Sequence, residues 1–248
     1  MTQQHTQRRT EGGFTLVELA IVMVIIGLLI GGILKGQELI ANAKVTATVS
    51  QLKGLDAALN TFQDKYSALP GDIPAPSTRL PNCPAGVCGT AGTGGTVGNN
   101  RIEGGNVTTA PAAASEAGKV FVHLNAADLI SGINPNGGAT FNGIFPSAKT
   151  GGGIWVAYAT NALGSTNLPA GAHYTAIAGS PSGANSATSG ALTASTAAQI
   201  DRKIDDGIPQ SGSTQTFGTG CFTGAGATSV YSENTSGGTC TLYSRALN

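Results

Sequence analysis

The side chains able to do chemistry fall into a few groups. Glu18 is a lone carboxylate inside the run Phe14 to Leu34, where only Thr15 and glycines otherwise interrupt the apolar residues. A charge in such a run is costly without a partner and marks a functional position. Just before it, Gly12-Gly13 leaves an open, unhindered backbone where a protease can enter, and Arg8 and Arg9 mark the cytoplasmic side. Further on, Asp201, Asp205 and Asp206 in the run DRKIDDG offer oxygen ligands of the sort calcium uses, although not in EF-hand order. Arg202 and Lys203 are equally able to neutralise these acids. Cys83 and Cys88 form a Cys-x4-Cys pair with no histidine or second close pair nearby, which favours a disulfide staple over metal ligation. With Cys221 and Cys240 there are 4 cysteines, which permit three pairings. His123 and His173 have no evident partner and read as structural or surface residues.

These groups need elements to hold them. The run Phe14 to Leu34 is about 21 residues, enough at 1.5 Å per residue to cross a bilayer once. An apolar stripe continues through Leu39, Val45, Val49, Leu52, Leu55, Leu59, Phe62 and Tyr66, mostly in steps of three or four, so one helix is expected to persist to about Lys65. Such a helix, roughly 78 Å long, exceeds the thickness of a membrane, and its second half suits the spine of a head. Gly27, Gly31, Gly32 and Gly36 weaken its middle and suggest either local melting or close helix packing through small faces. Leu69-Pro70-Gly71-Asp72 should stop it. From Ile73 to Pro111 a long loop is expected. A helix from Glu116 to Ser131, capped by Ser115, should follow. Ile154 to Thr160 and His173 to Ala178 read as strands of an antiparallel meander packed on the spine. The span from Thr150 through Ile200 lacks any charged residue and could face neighbours or carry O-linked glycans. Thr196 to Gln199 fits a capping box for a short helix with an acidic face, ended by Gly207 and Pro209.

Gly13-Phe14-Thr15-Leu16-Val17-Glu18, behind a short basic leader and ahead of an unbroken apolar helix, resembles the prepilin signature of type IV pilins and type II secretion pseudopilins. The resemblance implies an α+β fold in which a long N-terminal helix, membrane-spanning in its first half, packs against an antiparallel β-sheet head. It also implies that a prepilin peptidase cuts between Gly13 and Phe14 and N-methylates Phe14. Glu18 would then pair with the new amino terminus, setting register as helices enter a filament. The expected organisation is a leader at 1–13, a membrane and assembly segment at 14–35, an amphipathic spine at 36–66 and a head at 67–248. Within the head lie a variable loop at 73–111 and a C-terminal region at 221–240, which resembles the disulfide-bonded C-terminal loop of many pilins through Cys221 and Cys240. The implied partners are other copies or pilin co-subunits through the N-terminal helix, the peptidase, the bacterial inner membrane, and an assembly platform with its ATPase. The implied path runs from inner-membrane precursor to periplasmic or extracellular filament. A type IV pilus subunit, serving adhesion, motility or DNA uptake at the level of the organelle, is the first reading. A type II secretion pseudopilin, whose major members bind calcium, is the alternative, and a minor, tip-located adhesive pilin is the second alternative.

Composition narrows the classes. The chain has 248 residues, net charge +0, 10% charged residues and 37 glycines, which describes a neutral, loop-rich head. No basic patch lies outside the leader, so the electrostatic footprint of a nucleic-acid binder is missing. Nucleophile elbow, P-loop, HExxH and dinucleotide fingerprint are likewise missing, and no cofactor other than calcium is suggested.

Overall fold

A computed structural model describes residues 13–83, 86–89, 95–104, 111–159, 169–180, 190–235 and 237–247. Its first helix, α1, runs Leu16–Tyr66. By contacts the chain separates into two units, one ending at Ala43 and the other running from Lys44 to the end.

In the first unit the helix is unbroken through Gly27, Gly31, Gly32 and Gly36. A methyl group added at any of the four would meet no atom within 4 Å, so their small faces have no partner among the described residues. Phe14, Leu16, Leu19, Leu28 and Leu34 are all exposed. This segment is long and apolar enough to cross a membrane, and none of its most apolar part is buried.

In the second unit the same helix supplies Val45, Val49, Leu52, Leu55, Leu59 and Phe62 to the core, joined by Thr48 and Ala58. Leu39 of the expected stripe stays exposed. The helix ends at Tyr66, before the proline, because Ser67 turns left-handed (φ 50°). Gly71 follows at φ 95°, and a Cβ there would lie 2.4 Å from the Glu116 carbonyl, so both conformation and space demand glycine.

The segment expected as a plain loop at 73–111 contains a one-turn helix, α2 (Pro76–Arg79). It also sends Ile73, Leu80, Cys83, Cys88 and Ile102 into the core. Helix α3 (Glu116–Ala126) begins where Ser115 accepts the Gly118 N–H, as its sequence leads one to expect. It ends earlier than Ser131. Asp128 takes the left-handed position (φ 59°), Leu129 N–H bonds the Leu124 carbonyl and Asp128 N–H that of Asn125, a Schellman ending with aspartate in glycine's usual place.

Strands β1 (Gly153–Ala159) and β2 (Ala172–Ala178) pair antiparallel, Trp155 opposite Ala176. Helix α4 (Ala194–Ile204) is capped by Thr193, whose hydroxyl accepts the Thr196 N–H, so the cap stands three residues before the expected Thr196. Then come β3 (Thr214–Thr219), the short pair β4 (Phe222–Thr223) and β5 (Val230–Tyr231), and β6 (Thr239–Ala246). The main sheet has the order β1-β2-β6-β3, all antiparallel. It is therefore not a simple meander: the last strand inserts between β2 and β3. Nearly every residue of β1 and β2 is buried, which explains much of the charge-free span, since ions have no place on a strand covered on both faces. Residues 160–168 and 181–189, on which most of the glycan and neighbour-contact readings fall, lie outside the described residues. Helix α3 packs against β1, while α4 packs against β3, β5 and β6.

Candidate functional site

At the N-terminal end, Gly13 to Thr15 precede the helix without regular structure, and Gly13 and Phe14 are exposed. A Cβ on Gly13 would meet nothing within 4 Å and its φ is not positive, so nothing among the described residues requires glycine there. Any such requirement comes from a partner. Glu18 Oε2 accepts the Thr15 N–H at 2.9 Å and the Thr15 hydroxyl at 2.9 Å, while the Thr15 hydroxyl accepts the Glu18 N–H at 3.3 Å. Thr15-Leu16-Val17-Glu18 is thus a reciprocal capping box. The T-x-x-E spacing carries this signal in plain sight, yet attention to the charge alone passes over it. The box fixes the carboxylate beside the first turn, where the helix dipole favours an anion.

In the head, the three aspartates come together. One carboxylate oxygen from each of Asp201, Asp205 and Asp206 lies within 4.8 Å of the others. The short helix does not carry them on a solvated acidic face: Asp201 is fully buried, Asp205 half-buried and Asp206 exposed. Tyr231 donates its hydroxyl to Asp201 Oδ2 at 2.8 Å and lies 2.7 Å from the Thr216 hydroxyl, while Asp201 Oδ1 has no hydrogen-bond partner among the described residues. Burial, reinforced by the charges of Asp206 and Asp205, raises the Asp201 carboxyl to about 7. Asp205 accepts the backbone N–H groups of Ser213 and Thr214 and the Ser213 hydroxyl, and Asp206 accepts the Ile208 N–H at 2.8 Å. Arg202 and Lys203 do not neutralise the cluster by contact: Arg202 pairs with Glu233, and Lys203 reaches the Thr46 hydroxyl at 3.3 Å. The oxygen donor set and the partnerless buried Oδ1 fit a divalent cation of the calcium type, and the same carboxylates fasten the 208–214 turn.

A second polar constellation clasps the segment between α1 and α3, and sequence reasoning missed it. His123 is buried in α3; its Nδ1 accepts the Gly71 N–H at 2.8 Å and its Nε2 lies 3.2 Å from the Cys88 carbonyl, which places the ring proton on Nε2. His173 Nε2 accepts the Ile102 N–H at 3.2 Å. Burial lowers both imidazoles to about 4. Asp72 accepts the N–H groups of Gly98 and Asn100. Glu103 accepts those of Thr96 and the Asn99 side chain, and Glu116 Oε2 accepts the Glu103 N–H at 2.7 Å. Glu116 is fully buried and its Oε1 has no hydrogen-bond partner among the described residues; burial, with the charges of Asp72 and Glu103 beside it, raises its carboxyl to about 7. The available signal was the placement of His123 and Glu116 seven residues apart on one helix, hence on one face, among apolar residues.

The cysteines pair as Cys83–Cys88 and Cys221–Cys240. The first staples the turn before the clasped segment, and the second ties the loop carrying β4 and β5 to β6.

Comparison with known families gives one match: the pattern described as a prokaryotic N-terminal methylation motif covers residues 8–34. No curated protein and no solved structure matches the chain. The chain therefore carries a prepilin-type N-terminal motif on an apolar helix, ahead of an α+β head with a four-stranded open antiparallel sheet.

Proposed function

We propose that this protein is the structural subunit of a type IV pilus, cut between Gly13 and Phe14 by a prepilin peptidase, N-methylated on Phe14, and polymerised through its N-terminal helix. The observation that carries this reading is the exposed apolar segment Phe14 to Leu34, which has no partner among the described residues, opening at an accessible glycine. Left in water, such a surface would aggregate; a bilayer and then a bundle of like helices cover it in turn.

Cleavage frees an amino terminus with pKa near 8, cationic at neutral pH. Glu18, held next to it by the Thr15 box, supplies the counter-charge, either in its own subunit or to the Phe14 ammonium of a neighbour. An ion pair between copies rewards one axial register over its alternatives. The aspartate cluster supports the second reading, a pseudopilin whose head takes calcium, because buried Asp201 Oδ1 lacks a partner that a cation would supply.

The deciding experiment is mass spectrometry of sheared extracellular filaments and of membranes from the same cells. Abundant peptide starting at methylated Phe14 in the sheared fraction supports the pilus subunit. Mature protein confined to membranes supports the pseudopilin, and an uncut amino terminus overturns both.

A further inference from the structure

Two adjacent residues fasten the segment 95–104 to opposite parts of the head. Ile102, fully buried, donates its N–H to His173 Nε2 at 3.2 Å, and its carbonyl accepts the Tyr158 N–H at 2.9 Å. Glu103 donates its N–H to Glu116 Oε2 at 2.7 Å, and its carbonyl accepts the Ala117 N–H at 3.0 Å. The first two bonds run to β2 and β1, the second two to α3.

The two sides make opposite demands on protons. His173 Nε2 is an acceptor here, and an imidazole accepts an N–H only through a nitrogen that carries no proton. The bond to Ile102 is therefore lost when His173 becomes an imidazolium. Glu116 is the reverse case. Its carboxyl is fully buried beside Asp72 and Glu103, forms no ion pair among the described residues, and leaves Oε1 without a hydrogen-bond partner there. A Cβ built on Gly95 would lie 2.6 Å from that oxygen, so the backbone of the segment itself closes over it. An ionised Glu116 would be a sealed charge beside two like charges, so the closed segment keeps the proton on it.

The neighbouring charges leave both demands in place. On α3, Lys119 is engaged by the Val87 carbonyl at 2.8 Å, and His123 by Gly71 and the Cys88 carbonyl. Arg101 lies over the Tyr158 ring at 5.0 Å, and the edge of that ring meets His173. Glu103 holds the Thr96 N–H and the Asn99 side chain within the segment. Asp72 holds the N–H groups of Gly98 and Asn100 and is itself raised by burial, which adds to the Glu116 side.

We propose that the segment 95–104 is a clasp that opens by exchanging two protons, one leaving Glu116 and one arriving on His173, so that its hold on the head stays level across mildly acid pH. Burial moves Glu116 from 4.5 up to about 7 and His173 from 6.5 down to about 4. As the pH rises from 4.5 to 6.5, the open form loses a proton from Glu116, which favours opening by up to about tenfold per pH unit. Over the same range the open form loses the His173 proton, which favours closing by the same factor. Each effect amounts to about 40-fold across the two units, and they cancel.

Hydrogen exchange of the full-length protein in detergent, corrected for the intrinsic rate at each pH, reads the opening. Peptides from 95–104 report the clasp, and peptides from β6, a central and largely buried strand, report unfolding of the head. The wild-type segment should exchange faster than β6, with an opening constant that stays within about tenfold from pH 4.5 to 6.5. With Glu116→Gln the opening should fall about 40-fold over that range, and with His173→Gln, which keeps an acceptor that does not titrate, it should rise about 40-fold. The double variant should be level again. Each slope is read within one variant, so a uniform loss of stability does not imitate it. A segment that exchanges only together with β6, a wild type outside the tenfold band, or single variants that follow the wild-type course would overturn the clasp.

Discussion

Replacing Glu116 with glutamine should make the head more stable at alkaline pH and less stable, by about 1–2 kcal/mol, in acid. The Glu116 carboxyl is fully buried, and burial moves it from its ordinary 4.5 to about 7. The folded state thus holds this proton more tightly than the unfolded chain does. Its penalty is absent below pH 4.5, grows as the pH rises toward 7, and is complete above 7. At about 1.4 kcal/mol per pH unit, the full penalty is about 3 kcal/mol. Glutamine keeps an acceptor for the Glu103 N–H, now bonded to Oε2, but puts an amide N–H2 at the place of Oε1, which has no partner. An unsatisfied amide costs about 1–2 kcal/mol, so the net gain at pH 8 is about 1–2 kcal/mol, or roughly 3–6 °C for a domain of this size. Trp155 is the one tryptophan and is fully buried in β1, so its fluorescence during urea unfolding of the purified protein in detergent reports the head. Wild type alone does not isolate the effect. His123 and His173, lowered to about 4, lose stability as the pH falls from 6.5 toward 4, which opposes the carboxylates. The difference between variant and wild type removes these shared terms. A difference that is constant from pH 4.5 to 8, or a wild type that is the more stable at pH 8, would refute the reasoning.

The other predictions concern the N terminus and the aspartates. Glu18→Ala should leave insertion and cleavage intact and sharply reduce filament yield, measured on sheared fractions; normal yield would remove its role in register. Gly13→Val should leave an uncut precursor on denaturing gels although nothing among the described residues opposes the new side chain, and efficient processing would show that the peptidase does not read this glycine. If Asp201, Asp205 and Asp206 hold calcium, adding the ion should raise the melting temperature of wild type by several degrees and of Asp201→Asn by much less. Equal melting with calcium and with chelator would leave the cluster as a fastening for the 208–214 turn.

What could be read from the sequence was whatever repeats or is spelled locally. The spine is legible because Val45, Val49, Leu52, Leu55, Leu59 and Phe62 recur at helical spacing, and each recurrence is an independent vote for the same buried face. β1 and β2 are legible because IWVAYA and HYTAIA are short, branched and aromatic. The chain order of the sheet is not, since insertion of β6 between β2 and β3 depends on the β2–β6 pairing, across more than sixty residues, that no local pattern encodes. The same limit explains the site. Thr15 and Glu18 are three residues apart, so their box is written in the sequence even where it is overlooked. Asp72, Glu103 and His173 join the helix that carries Glu116 and His123 only by tertiary folding, and the partners of these side chains are mostly backbone N–H groups, which have no letter in the sequence. Asp201 illustrates both halves at once: its proximity to Asp205 follows from one helical turn, whereas its burial follows from Tyr231, thirty residues on, closing over it. A lone acidic letter in a charge-poor head is for that reason ambiguous between a solvated face and a buried anchor, and long-range topology decides which it becomes.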